Sequence, residues 1–362
     1  NVHLSRLKLT DYRNFDRADF EFPAEGVAIS GQNGRGKSNI LEAIFFLAIA
    51  KSARGTSDRD VVRWGAQAFV IEGSVERQGE PVDLRVAFDA QQKKKKAFVH
   101  GQPLQRVSAI VGEFNAVLFS PEDVDLVLRT PAERRRLLDI LISQSSSPHL
   151  SDLETYRRVL AQRNRLLKDA GPRLRSNPGQ LEAWDSQLAE SGARIVSDRL
   201  ATLASIEPKA KTYYEKISSE SETLSLSYRG TVVSGDPDRR RSDLVEALRA
   251  RRDDEIRLGH TLSGPHRDHL IFQLDGRPVH QFGSKGQMKS ALLAWKLAEA
   301  AYLHERTGYR PVLLMDDVFS ELDAPRAEAV LDLVRDFGQV VLTTARDPDL
   351  DIREERYGIV DL

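Results

Sequence analysis

The sequence predicts an α/β fold, a mixed-sheet lobe carrying a phosphate loop and interrupted by a helical lobe with a short antiparallel hairpin, and three observations carry that prediction. An apolar run, Val27-Ala28-Ile29-Ser30, enters Gly31-Gln32-Asn33-Gly34-Arg35-Gly36-Lys37-Ser38, and a helical pattern starts at Asn39. A second apolar run, Val312 to Met315, ends in two carboxylates, Asp316 and Asp317. Between them Leu150, Leu153, Leu160 and Leu167 recur at helical spacing, with Arg157 and Asn164 interrupting, and Leu181, Trp184, Leu188 and Ile195 suggest a second helix of the same kind.

Taken in order, the chain opens on alternating stretches, Leu4 to Leu9 and Asp19 to Phe22, which read as half-buried strands. The phosphate loop and its helix follow. Phe69 to Val75 and Val82 to Phe88 again alternate, and the run Lys93 to Lys96 between strands reads as an exposed hairpin tip in preference to a DNA contact. Phe114 to Phe119 reads as a buried strand, so the first third is a mixed or antiparallel sheet beside the phosphate-loop unit. Thr130-Pro131-Ala132-Glu133 has capping-box spacing with proline at the first helical position, which opens a helix to about Ile142. After a serine-rich break the two leucine-spaced helices turn between Gly171 and Gly179, the first of about 22 residues, or roughly 33 Å. Strand character returns over Glu222 to Tyr228, and a charged helix is expected over Asp243 to Leu258. A hairpin turns at Asp275-Gly276, and a long helix from Gly286 to Arg306 stops at Gly308, a C-cap residue.

Composition narrows the class. The 362 residues are 40% hydrophobic and 30% charged with no cysteine, which excludes disulfides and thiolate zinc sites and fits a reducing cytoplasm. No apolar run approaches the roughly 20 residues that span a bilayer, and no signal-peptide core is seen, so the expectation is a soluble, cytoplasmic protein with no membrane partner. Net charge is −1, but Arg129 to Arg175 holds 11 Lys/Arg against 5 Asp/Glu, whereas Pro311 to Leu362 holds 5 against 13. Such asymmetry fits a basic arm meeting nucleic acid and an acidic end holding a metal, or a pair of solvated helix faces. The eight histidines have no metal-ligand spacing; His266 stands out only for its neighbours Arg267 and Asp268.

The loop fits G-x-x-x-x-G-K-[ST] in the strand-to-helix context that motif requires. Its glycines let successive N–H groups and the helix N-terminus face an anion together. Gly31, Gln32, Asn33, Gly34, Arg35, Gly36, Lys37, Ser38 and Asn39 are therefore the expected ATP contacts, with Lys37 on the β/γ-phosphates. Ser38 and Asp316 are the expected Mg²⁺ ligands, and Asp317 could orient the attacking water, so Lys37, Asp316 and Asp317 are the catalytic candidates.

A third element decides among phosphate-loop enzymes. Gly283-Ser284-Lys285-Gly286-Gln287 opens the long helix before the second carboxylate strand, and here the chain resembles the ATP-binding-cassette superfamily, whose signature has the form LSGGQ. Ser284, Gly286 and Gln287 match; Gly283 and Lys285 depart. Alone the pentapeptide is a common helix opening. Its order ahead of Asp316, with Ser320-Glu321-Leu322-Asp323 following as a D-loop does, gives it weight. Asp317 stands where most cassette ATPases have glutamate, Thr343-Thr344-Ala345-Arg346 stands where a switch histidine is usual, and no plain Q-loop glutamine occurs around Phe119 to Asp123.

Within the superfamily the match tightens to the RecF family, through Asp11-Tyr12-Arg13-Asn14-Phe15, Gly31 to Ile44, Lys51 to Arg54, Phe119 to Asp123, Arg134 to Asp139, Ser263-Gly264-Pro265-His266-Arg267-Asp268 and Asp316 to Asp323. The resemblance implies the head of an SMC or Rad50 molecule with a stub of coiled coil: an ATPase part over 1–128, a helical arm over 129–260 and a second ATPase part over 261–362. It also implies an ATP-dependent homodimer on single- or double-stranded, gapped DNA. Slow hydrolysis then releases it, with RecR and RecO as partners in loading a recombinase during repair. A transporter's nucleotide-binding subunit is the alternative, disfavoured by the helical insert and by the missing histidine and glutamine.

Overall fold

The computed structural model describes residues 2–32, 34–120, 122–124, 130–175, 177, 179–218, 222–233, 236–344 and 358–361. They form two compact units, one of residues 1–125, 209–223 and 284–362, the other of 126–208 and 224–283.

The first unit contains two sheets. Strands β3 (Gly26–Ser30), β8 (Ala116–Phe119), β12 (Val312–Met315), β13 (Val340–Thr343) and β14 (Gly358–Asp361) form a parallel sheet in the order β14-β3-β13-β12-β8. The described side chains of β3, β8, β12 and β13 are all buried, as apolar runs in a parallel sheet should be. The antiparallel sheet has the order β2-β1-β4-β5-β6-β7, from β1 (Val2–Tyr12), β2 (Phe15–Glu21), β4 (Ala68–Arg77), β5 (Glu80–Asp89), β6 (Lys94–Val99) and β7 (Gln102–Pro103). Helix α1 (Lys37–Ile49) touches strands of both sheets, and its residues from Ile40 to Ile49 are buried on every side, which is why the sequence there lacks a polar face. Gln339, buried just before β13, accepts from Leu4 N at 2.8 Å and donates to Leu4 O and Pro23 O at 2.8 and 2.9 Å, so its amide fastens β1 to the parallel sheet without leaving polar atoms unpaired.

The lysine run differs from a simple hairpin tip. The turn falls before Lys94, and Lys94 to Lys96 lie in β6. Alternation turns Lys95 inward, where its ammonium donates to Ala50 O at 2.8 Å, pairs with Asp58 at 2.8 Å and stands 5.3 Å from the Phe46 ring centre.

The second unit is mostly helical. In order come α2 (Pro131–Ser145), α3 (Ser147–Ala170), α4 (Gly179–Ile217), whose residues from Lys209 on belong to the first unit, α5 (Arg240–Ala250) and α6 (Arg252–Leu258). A three-stranded sheet joins β9 (Leu224–Arg229), β10 (His269–Leu274) and β11 (Arg277–Pro278) through the Asp275-Gly276 turn, both of whose residues are left-handed. Thr130 caps α2 by accepting from Glu133 N, with Pro131 in the first turn. Partners along α3 and α4 run in opposite sequence order, His149 with Asp198, Asp152 with Arg194 and Arg163 with Asp185, so the two helices are antiparallel. Leu153, Leu167, Leu181, Leu188 and Ile195 are buried, with Leu160 and Trp184 packed at the edge of the cluster.

Two expectations are corrected here. The charged stretch from Asp243 is two helices broken at Arg251, because Asp253, Asp254 and Glu255 suit the positive start of a new helix. Nor does the whole basic segment Arg129 to Arg175 face outward to meet nucleic acid: Arg163 within it is enclosed. It is fully buried, 2.7 Å from both Asp185 and Glu255, while Arg165 is exposed and pairs with Asp169 at 3.4 Å. Arg134 is buried as well, so the basic excess of this segment overstates what faces solvent.

A candidate phosphate-binding site

Parallel pairing sets Thr343 beside Ile29 and Met315 beside Leu342, so β3, β13 and β12 end at one level and release their following residues together. Ser38 Oγ donates to Asp316 Oδ1 at 2.9 Å, and Thr343 Oγ1 donates to the same oxygen at 2.7 Å. Thr343 Oγ1 also accepts from Asp317 N at 2.9 Å, and Asp317 adopts a left-handed conformation, φ 46°. Lys37, buried at the start of α1, donates its ammonium to Gly31 O and to Gln32 O, the latter at 3.1 Å. Gly34, Gly36, Lys37, Ser38, Asn39, Asp316, Asp317 and Thr343 line a cleft of about 220 Å³.

The loop is propped from behind. Asn14 Nδ2 donates to Arg35 O at 3.0 Å and its Oδ1 accepts from Asn39 Nδ2 at 2.8 Å. At Gly36 φ is 106°, and a Cβ would lie 2.6 Å from Asn14 Nδ2, so only glycine fits this approach. Arg13 donates to both Glu42 oxygens at 3.0 and 2.8 Å, and Ser52 Oγ donates to Glu42 Oε1 at 2.7 Å, which ties Asp11–Phe15 and Lys51–Arg54 to α1. A larger hollow of about 870 Å³ adjoins the cleft at Asn39, with Arg13, Arg59, Arg63 and Trp64 among its walls; Trp64 is 97% exposed.

Lys37, Ser38, Asp316 and Asp317 thus come together, and Gly31 and Gln32 hold the lysine. Asn33, Ala345 and Arg346 lie outside the described residues, as do Pro121 and the side chains of Ser320 and Glu321. Ser284, Gly286 and Gln287 are not walls of the cleft. They open helix α7 (Lys285–Thr307), preceded by a one-turn helix at Val279–Phe282. There Ser284 Oγ accepts from Gln287 N at 3.2 Å and Gln287 Oε1 accepts from Ser284 N at 2.6 Å. Thr343, Asn14 and Trp64 were not among the expected site residues. The signal for Thr343 is its place directly after an apolar run, the position Asp316 holds on its own strand; Trp64 has no such signal.

The donor set suits Mg²⁺. The Ser38 hydroxyl and the Asp316 carboxylate converge, the hard oxygen donors that Mg²⁺ prefers.

Residues 3–361 match the family model described as RecF/RecN/SMC N terminal domain. The chain is 37% identical over 353 residues to the DNA replication and repair protein RecF of Bacillus subtilis (strain 168), covering 97% of this chain and 95% of that one. It is 36% identical over 352 residues to RecF of Listeria welshimeri, with the same coverage. The solved structure of the recombination mediator protein RecF-ATP in the RecFOR pathway superposes with a TM-score of 0.89 at 30% identity, over 96% of this chain and 93% of that one. An Smc head from Pyrococcus furiosus shares the fold, with a TM-score of 0.54 at 18% identity over 100% of this chain and 93% of that one. A strand-end carboxylate meeting the phosphate-loop serine, a fold shared with Smc heads and more than a third identity along nearly the whole length agree: the chain belongs to the RecF family.

Proposed function

We propose that this chain is a DNA-binding ATPase of recombinational repair, in which ATP closes two copies into a dimer on DNA and slow hydrolysis reopens it. The observation that carries the reading is the Ser38–Asp316–Thr343 hub with Asp317 beside it, at a cleft too small for a whole nucleotide. Enclosed ligand pockets run to about 300–1,000 Å³. The cleft takes the phosphates, the hollow beside Asn39 takes the nucleoside with Trp64 as a stacking surface, and one side stays open to water.

Lys37 exchanges the carbonyls of Gly31 and Gln32 for phosphate oxygens. Ser38 and Asp316 would hold Mg²⁺, which would supply positive charge to the phosphates. Asp317 orients water, one methylene shorter than the usual glutamate, which makes hydrolysis slow and suits a protein that waits on DNA. Ser284, Gly286 and Gln287 of the second copy close the open side with a helix N-terminus. The RecFOR context of the solved relative supports DNA gaps as the substrate and RecR and RecO as partners. No helix among the described residues is long and apolar enough to cross a membrane, and we place the chain in the cytoplasm.

Sedimentation velocity with and without ATP, Mg²⁺ and duplex DNA tests the reading. Wild type should shift to a DNA-bound dimer only with ATP, and Lys37→Met should not. An assembly state indifferent to nucleotide and DNA overturns it.

A further inference from the structure

The two polar residues that interrupt the leucine spacing of α3 meet the family-specific stretch Ser263 to Asp268 and its approach. Asn164 Oδ1 accepts from Thr261 N at 2.8 Å and from Thr261 Oγ1 at 2.7 Å. Arg157, on the leucine seam one turn from Leu153 and Leu160, opens onto a separate pocket of about 190 Å³ whose other polar walls are Arg135, Arg136, Arg199, Tyr156, His266 and Asp139. Four guanidinium groups thus face one carboxylate.

That carboxylate is already taken. Arg199 donates to both Asp139 oxygens at 2.8 Å, and His149 Nε2 lies 3.4 Å away. Arg199 itself, buried in the floor, gives its remaining reach to Tyr228 Oη at 2.8 Å and Pro265 O at 2.9 Å. Arg136 leans on Glu133 at 3.5 Å. Arg135 donates to a carbonyl, Asp268 O, at 2.7 Å, and has no carboxylate partner among the described residues. Arg157 is exposed and has no ion pair among them. Burial, and then the charge of Arg199, hold the Arg135 guanidinium below its ordinary pKa against the opposing pull of Tyr228, Asp139 and Asp268.

The rest of the lining is neutral and fixed. His266 Nε2–H donates to Thr261 O at 3.2 Å, which leaves Nδ1 to accept from Tyr156 O–H at 2.7 Å. Gly264, at φ 127°, has room for no side chain, since a Cβ would lie 2.4 Å from Tyr156 Oη. Leu153, Leu160 and Ile195 supply apolar walls. Such a cavity partly shields Arg135 from water, with Arg157 at its exposed rim, and two guanidinium groups that make no ion pair among the described residues present planar forks, the geometry that matches phosphate oxygens two at a time.

We propose that this pocket is a phosphate site that seats one phosphate of a nucleic acid, held by Arg135 and Arg157 against the floor of Arg199. The proposal rests on the DNA-binding reading above and adds to it a defined point of contact. A phosphate brings one to two negative charges to two guanidinium groups that make no ion pair among the described residues, and 190 Å³ admits a phosphate with part of its sugar but not a base pair. An acidic peptide would bring carboxylates to the same arginines and is separated by the test.

Arg157→Gln and Arg135→Gln are compared with wild type by fluorescence anisotropy on a labelled gapped duplex at several salt concentrations. One arm carries a 5′-phosphate, one ends in hydroxyls, and a third adds inorganic phosphate as competitor. Each variant should bind DNA at least 5-fold more weakly near 0.15 M salt with a salt slope reduced by about one, while ATP binding and thermal unfolding stay as in wild type. Loss on both DNA arms assigns an internal phosphate, and loss confined to the 5′-phosphate arm assigns the end; either supports the site. Wild type binding DNA with both variants unchanged in affinity and slope overturns the pocket and leaves the DNA-binding reading standing. Loss of an acidic protein partner with DNA binding intact also overturns it, and wild type that binds neither DNA arm overturns both readings.

Discussion

Ser38 and Asp316, 278 residues apart in sequence, share a 2.9 Å hydrogen bond, and Thr343 donates to the same carboxylate oxygen at 2.7 Å. Thr343 also accepts from the amide of Asp317, so one hydroxyl aligns both acids. Thr343→Val keeps the shape and removes both bonds, at a cost of about 1–3 kcal/mol. ATP binding, which rests on Lys37 and the loop, should change less than about 3-fold, whereas hydrolysis should fall at least about 10-fold and need more Mg²⁺. Steady-state hydrolysis against Mg²⁺ concentration checks this; an unchanged profile would remove Thr343 from the site.

Asn14 supports the loop by bonds to Arg35 O and Asn39, each worth about 1 kcal/mol. Asn14→Ala should therefore weaken ATP binding roughly 5–20-fold while lowering thermal stability little. Gly36→Ala should abolish nucleotide binding, because both its φ of 106° and the space beside Asn14 forbid a side chain. Equilibrium binding of a fluorescent ATP analogue reads both, and a Gly36→Ala protein with normal affinity would contradict this account of the loop.

The loop, the carboxylate strand and the signature helix were legible because each is a local pattern: an apolar run sets a strand, and the residue after it has nowhere to go but the sheet edge. Thr343 was visible as a residue but not as a partner, since pairing of β13 between β3 and β12 is a long-range fact. Charge counts misled at Arg163 for a related reason. Composition cannot tell a solvated arginine from one enclosed by Asp185 and Glu255, which lie 22 and 92 positions downstream. The interruptions at Arg157 and Asn164 were correctly placed, yet their meaning needed Thr261 and the Pro265-His266 turn brought against them.

Arg163 and Arg165 should separate folding from binding. Arg163→Met takes from buried Glu255 its ion-pair partner and leaves Asp185 with Arg252 alone, a loss of about 3–5 kcal/mol. Arg165→Met breaks only an exposed i,i+4 pair, worth under about 0.5 kcal/mol. Chemical denaturation of each variant measures the difference; equal stabilities would mean that the buried network contributes nothing.

Two histidines should tilt stability in opposite directions. Burial, reinforced by the charges of Arg267, Arg135 and Arg163 against a bond to Thr261 O, pushes the His266 imidazole down to about 4. The folded protein then binds fewer protons than the unfolded chain between about pH 4 and 6.5, so stability falls as pH drops through that window, by up to about 3 kcal/mol. For His149 burial opposes the charge, but bonds to Asp139 and Asp198 outweigh it and raise its pKa. Its contribution is present below about pH 6.5 and fades as pH rises through the raised folded value. His266→Asn should flatten the acid limb of a stability–pH curve and His149→Gln the upper limb. A His266→Asn curve as steep as wild type between pH 4 and 6.5 would count against the neutral, buried imidazole.

Dimerisation should depend on Ser284 in a way that its capping role cannot explain. In the single chain Ser284 caps α7 through Gln287, and neither residue lines the cleft at Lys37 and Asp316. The start of α7 offers unpaired N–H groups and a positive dipole end, worth about 0.3–1 kcal/mol toward an anion when exposed and more when water is excluded. Two-fold pairing would bring that end over the phosphates of a second copy and make two identical sites, so nucleotide buried only in the dimer stabilises the dimer by linkage. Ser284→Ala removes the cap at about 1 kcal/mol and leaves the space open. Ser284→Arg loses the same cap and adds a bulky side chain where a second copy must fit closely. The arginine variant should therefore bind ATP as a monomer yet lose ATP-dependent dimerisation and most hydrolysis, while the alanine variant keeps a weakened form of both. Sedimentation with ATP on the two proteins side by side decides it: equal dimerisation would mean that Ser284 acts only on its own helix and that the open side of the cleft is closed by something else.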